Sequence, residues 1–177
     1  MRLFLALSFP DPVKKNLAAL TASLRVGAED ARFTREENYH LTLVFLGEQK
    51  SAGPAEKALE DLPRAGFSLT LGPGGRFSRP DGDLIFLRAD GGERLPALAR
   101  EAEKRCAAIG VPQEKRAYTP HVTLARGFRA RRGFEPEKLL AAFPPLSFPA
   151  ERVSLMLSEF RKGRLCYTEL RGIDLER

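Results

Sequence analysis

The chain has no tryptophan and only two cysteines, two methionines and two histidines among its 177 residues. Cys106 and Cys166 give no disulfide framework and no Cys-x-x-Cys spacing, which excludes a structural zinc site. Cys106 falls on the apolar face of an expected helix and Cys166 in an expected strand, so both are read as buried, reduced thiols. No apolar run approaches the roughly 20 residues needed to span a bilayer. The opening Met1–Phe9 is apolar like a secretory leader, but no small-x-small cleavage site follows and Pro10-Asp11-Pro12 leads directly into a charged helical pattern. It reads as a buried first strand of a cytoplasmic protein. Gly72-Pro73-Gly74-Gly75 lacks the Lys-Ser/Thr that completes a phosphate-cradling P-loop and is read as a plain loop.

What is present suffices for a folded domain. At 43% hydrophobic the chain can bury a sizeable core, and its length suits a single bilobal domain. The formal charge is +6, from 29 Lys and Arg against 23 Asp and Glu. Arg126, Arg129, Arg131 and Arg132 fall close together, and Arg161, Lys162 and Arg164 follow near the end. The excess fits either a well-solvated surface or a polyanionic partner, whose local concentration a positive field raises.

Hydrophobic period and breakers divide the chain into two similar halves, 1–80 and 81–177. The first reads as strand 2–9, helix 11–25, strand 39–46, helix 54–62 and strand 67–71. The second reads as strand 84–87, helix 93–109, strand 121–125, a short helix 136–142 and strand 153–157, with a final strand over 166–170. The expectation is an α+β fold of duplicated β-α-β-α-β halves forming two pseudo-symmetric lobes. Each lobe is an antiparallel sheet with helices on its outer face, and an active-site cleft lies between them.

The two histidines occupy matching strands, His40-Leu41-Thr42-Leu43 and His121-Val122-Thr123-Leu124. Side chains alternate along a strand, so each histidine shares a face with its threonine while the apolar neighbours face a core. A lone strand histidine is more often structural than catalytic. With seven threonines in the chain, however, two accidental His-x-Thr matches have a chance on the order of one in several hundred. The pair is therefore read as catalytic and acting on a phosphate ester. Imidazole titrates near neutral pH, so one ring can serve as general base while the other serves as general acid. Threonine hydroxyls and an arginine can hold non-bridging phosphate oxygens. Thr is a poor metal ligand and no His or Asp stands at the usual spacing, so the chemistry is expected to need no metal and no cofactor.

Paired motifs of this kind in a duplicated α/β chain resemble the 2H phosphoesterase superfamily. The nearer likeness is to its bacterial and archaeal RNA 2′,3′-cyclic phosphodiesterase branch, long called 2′-5′ RNA ligase. It rests on Arg2-Leu3-Phe4-Leu5-Ala6, Asn38-Tyr39-His40-Leu41-Thr42-Leu43 with Phe45-Leu46-Gly47, and Pro120-His121-Val122-Thr123-Leu124-Ala125-Arg126. Ser158-Glu159-Phe160, Gly163 and Tyr167 complete it. The resemblance implies hydrolysis of RNA 2′,3′-cyclic phosphate ends to 2′-phosphomonoesters, with His121 as proton acceptor, His40 as proton donor, and Thr42, Thr123 and Arg126 on the phosphate. The implied partner is RNA with a cyclic phosphate end, such as tRNA fragments or small cyclic nucleotides, acted on by a monomer with no membrane attachment. Alternatives are ligation of that end to a 5′-hydroxyl, or a non-catalytic RNA-end-binding module.

Two positions depart from simple expectation. Many relatives carry an acidic residue where this chain has Ser8. Strand parity puts Arg126 on the face opposite His121, reachable only through a twist such as Gly127 permits, and puts Phe45 in the core with Leu41 and Leu43.

Overall fold

The computed structural model describes residues 1–176. Strand β1 (Arg2–Ser8) leads into helix α1 (Asp11–Val26), whose Val13, Leu17, Leu20 and Leu24 recur at helical spacing and are all buried. Pro12 sits in the first turn, where its missing N–H costs nothing. Strand β2 (Ala28–Phe33) follows, then a single 3-10 turn, Glu36–Asn38, and strand β3 (His40–Glu48). Helix α2 (Gly53–Glu60) and strands β4 (Phe67–Phe77) and β5 (Asp83–Asp90) come next. Helix α3 (Arg94–Ala108), strand β6 (His121–Ala130) and helix α4 (Pro136–Ala142) precede strands β7 (Leu146–Ala150), β8 (Arg152–Arg161) and β9 (Arg164–Asp174).

The α+β class with two antiparallel sheets holds. One sheet has the order β3-β1-β8-β9 and the other β2-β6-β5-β4-β7. Each sheet draws on both halves of the chain: β4 crosses to pair with β5, and β8 crosses to pair with β1. Helices cross too, with α1 packing against β2 and β6 while α3 packs against β3. The exchange ties the lobes into one body around a continuous apolar core that includes Leu5, Leu17, Leu41, Leu71, Leu87, Leu95 and Val122. No helix among the described residues is long and apolar enough to cross a membrane.

Four expectations need correction. The connection after α1 contains β2, and the segment before β8 contains β7. Both are edge strands, one rich in charge and the other holding Pro149, which an edge tolerates because one side of its backbone needs no partner. The glycine run 72–75 is no plain loop: β4 runs through it, with a register shift between Leu71 and Gly74. Glycine is needed there because α4 lies on the strand, and a Cβ at Gly74 would stand 2.7 Å from that of Leu140. Cys166 is only partly buried, whereas Cys106 is fully buried.

Candidate active site

The histidines begin β3 and β6, which pair antiparallel with β1 and β5 respectively. In both strands the alternation runs as expected for three residues and then breaks at the same place. In β3, Thr42 pairs with Ala6 and Val44 with Leu5, leaving Leu43 unpaired. In β6, Thr123 pairs with Phe86 and Ala125 with Ile85, leaving Leu124 unpaired. Each is a β-bulge, one extra residue that reverses the faces beyond it. The fifth residue after each histidine therefore returns to the histidine's own face. That residue is Phe45 in one lobe and Arg126 in the other.

This bulge overturns the core placement of Phe45, which is 65% exposed. Its ring lies 6.1 Å from that of Phe4, which itself lies 4.9 Å from the His40 ring. The same bulge brings Arg126 to the side of His121 and Thr123. A twist at Gly127 is not required for this.

Each imidazole is oriented by the backbone two residues before it. Nδ1 of His40 lies 2.7 Å from the Asn38 carbonyl oxygen, and Nδ1 of His121 lies 2.8 Å from that of Thr119. A carbonyl oxygen only accepts, so Nδ1 carries the proton in both rings and Nε2 is left for the cleft. In the neutral ring, Nε2 of His40 accepts from the Thr42 hydroxyl at 3.1 Å. Aromatic side chains wall both rings: Phe4 and Tyr167 beside His40, Phe77 and Phe86 beside His121. Tyr167 reaches His40 because the first sheet curls. Asn38 donates its side-chain amide to the Leu165 carbonyl at 3.0 Å, drawing β9 at one edge of the sheet toward the turn before β3 at the other.

Electrostatically the two strands share one site. Burial pushes the His40 imidazole down to about 4; the hydrogen bond to the Asn38 carbonyl opposes this, and the charges of Arg126 and then His121 lower it further by smaller amounts. Arg126 in turn is held below its ordinary value by desolvation and by the neighbouring guanidiniums of Arg79, Arg32 and Arg2, partly offset by Tyr167. Tyr118 donates its hydroxyl to the Thr42 carbonyl at 3.0 Å, joining the segment before His121 to β3. Thr34 donates to the Thr123 carbonyl at 2.8 Å, joining the segment before β3 to β6. Among the described residues no three His, Cys, Asp or Glu side chains converge as a metal-binding group.

Ser8 stands opposite His40 and hydrogen-bonds Ser154 at 2.8 Å; Ser154 donates to Glu169 at 2.5 Å, and Arg152 holds that carboxylate from the other side at 2.8 Å. The carboxylate at the end of this hydrogen-bond chain comes from β9 and is tethered, its pKa lowered chiefly by Arg152.

His40 lies within electrostatic reach of His121 and Arg126, and Thr42 and Thr123 share the strand faces of their histidines. Phe4, Tyr167 and Phe86 pack beside the imidazole rings, and Arg2, Arg32 and Arg79 add positive charge around Arg126. Arg2, Phe4 and Tyr167 stand in segments that carry the family resemblance, whereas Phe86, Arg32 and Arg79 stand in none; Arg2 and Phe4 also share a face along β1, the neighbour of the His40 strand.

The chain matches the 2′-5′ RNA ligase superfamily over residues 9–159. The RNA 2′,3′-cyclic phosphodiesterase of Escherichia coli (strain K12) is 30% identical over 177 aligned residues, covering 96% of this chain and 94% of that protein. The RNA 2′,3′-cyclic phosphodiesterase of Geobacillus stearothermophilus is 28% identical over 141 residues, or 77% of this chain; the match spans only 45% of that relative's length. The crystal structure of E. coli LigT complexed with 3′-AMP is similar throughout, with a TM-score of 0.79, 31% identity, and coverage of 99% of this chain and 98% of that one.

Proposed function

The chain belongs to the 2′-5′ RNA ligase superfamily, and on that premise we propose that it hydrolyses RNA 2′,3′-cyclic phosphate ends to 2′-phosphomonoesters by metal-independent acid/base catalysis. The observation that carries this reading is the matched pair of imidazoles. Both are held by a backbone carbonyl at Nδ1, which leaves Nε2 free of that contact, and both carry a threonine on the same strand face.

In this reading the cyclic phosphate lies between the lobes, its non-bridging oxygens taken by the hydroxyls of Thr42 and Thr123 and by Arg126. His121 Nε2 accepts a proton from water as the water oxygen bonds to phosphorus. The P–O3′ bond breaks in line, and His40 Nε2–H delivers a proton to the departing O3′. The product is a 3′-hydroxyl and a 2′-phosphate; the two histidines have exchanged protonation states and reset through solvent.

The low pKa of His40 leaves it neutral in the empty cleft at neutral pH. An arriving phosphate anion offsets the Arg126 charge and offers an acceptor for Nε2–H, both of which favour the imidazolium. The donor is thus charged by its substrate. Joining a cyclic-phosphate end to a 5′-hydroxyl is the same chemistry with a ribose oxygen in place of water, and the superfamily name keeps that activity in view.

A cyclic-ended oligoribonucleotide incubated with the protein in excess EDTA is expected to turn over at the rate seen without chelator. Loss of turnover on chelation, restored by a divalent cation, contradicts the metal-free reading.

A further inference from the structure

The cleft carries more positive charge than one cyclic phosphate can neutralise. Arg32 of β2 stands directly opposite Arg126 of β6. The next residue, Phe33, pairs with Ala125 and packs on the core, so Arg32 and Arg126 share the cleft face. The Arg32 guanidinium lies beside Gly127, where a Cβ would come within 3.7 Å of it. Arg2 occupies the face of β1 that carries Phe4 and Ala6. Arg79 follows Phe77, whose ring stacks on Phe86 at 4.3 Å and lies 5.9 Å from His121. Like charges opposed across a strand pair destabilise it. Among the described residues none of these four arginines has a carboxylate within ion-pair distance. Other arginines in the chain do: Arg76 holds Asp83 and Glu137, and Arg152 holds Glu169 and Asp174.

An unneutralised arginine cluster on one wall matches phosphate oxygens in geometry and charge. A 2′,3′-cyclic phosphate brings a single negative charge, which Arg126 and the threonines already meet. Every further nucleotide adds one more, and from a 3′ end all of them lie on the 5′ side. We propose that Arg2, Arg32 and Arg79 form a second phosphate subsite beside Arg126. It holds the phosphodiester that joins the terminal nucleotide to its 5′ neighbour, and so favours an oligonucleotide end over a cyclic mononucleotide. The inference rests on the reading above that the terminal phosphate lies between the histidines.

Calorimetric titration with two product-type ligands tests it without any turnover. One is adenosine 2′-monophosphate; the other is adenylyl-(3′→5′)-adenosine bearing a 2′-phosphate on its 3′-terminal ribose. At about 0.1 M salt the parent is expected to bind the dinucleotide about tenfold tighter or more, as a charge-assisted contact allows. Arg32→Gln and Arg79→Gln should each remove most of that ratio, and Arg32→Gln should melt no lower than the parent because it relieves repulsion. Equal affinity of the parent for the two ligands overturns the subsite. So does an Arg32→Gln loss of the same factor on both ligands, or a clear fall in its melting temperature. A protein that showed the dinucleotide preference yet left cyclic ends intact would retain the subsite and lose the proposed reaction.

Discussion

Alanine at His121 is expected to lower kcat/KM for a cyclic-ended RNA by about 10²–10⁴-fold, and alanine at His40 by a similar factor, since each removes one of the two proton transfers. Neither change should unfold the protein. His121 is partly exposed at the start of β6, and His40 is half-buried beside Phe4 and Tyr167 rather than sealed in the apolar core. Far-UV circular dichroism checks the fold, and exogenous imidazole is expected to restore part of the rate in whichever variant leaves space for it. Parent-like turnover in either variant contradicts the acid/base pairing.

The second large effect is expected at Arg126. Arg126→Gln removes a positive donor aimed at the reacting phosphate, a loss of about 10²–10³-fold in kcat by analogy with the removal of one oxyanion donor. It should also alter His40 in a way that a purely steric role would not. Burial is the main reason His40 resists protonation, and the Arg126 charge adds to it. Taking that charge away therefore raises the His40 pKa from about 4, without bringing it to the ordinary imidazole value, because burial and His121 remain. By linkage, an imidazole whose pKa is lowered in the folded state contributes stability that is present above its unfolded value near 6.5 and is lost as pH falls toward about 4. In Arg126→Gln that acid loss becomes smaller. An NMR titration of the His40 ring in both proteins measures the shift; an unchanged His40 titration contradicts the electrostatic link between the lobes.

The pairing of each histidine with its threonine on one strand face is legible in the sequence; the bulges just beyond them are not. His40 with Thr42, and His121 with Thr123, could be paired because period-two alternation holds for the three residues that matter. It fails one residue later, where Leu43 and Leu124 are left unpaired. No residue type announces a bulge at these apolar positions, so parity misplaced Phe45 and left Arg126 on the wrong face. The strand 28–33 escaped notice because Ala-Glu-Asp-Ala-Arg-Phe has no apolar alternation; it is an edge strand held by its backbone pairing to β6. The exchange of β4 and β8 between sheets was equally silent, since local pattern shows that a strand exists and says nothing of which sheet receives it. Arg2, Arg32 and Arg79 are far apart in the chain and come near Arg126 only in the fold, Arg32 through the pairing of β2 with β6.

On the proposed mechanism, the two imidazoles open a terminal cyclic phosphate by expelling its 3′ oxygen. The most direct measurement is the position of the phosphate in the product of a defined RNA ending in a 2′,3′-cyclic phosphate, read by ³¹P NMR against authentic 2′- and 3′-phosphomonoesters. The account predicts the 2′-phosphomonoester alone. A 3′-phosphomonoester, or a cyclic phosphate left intact, contradicts it.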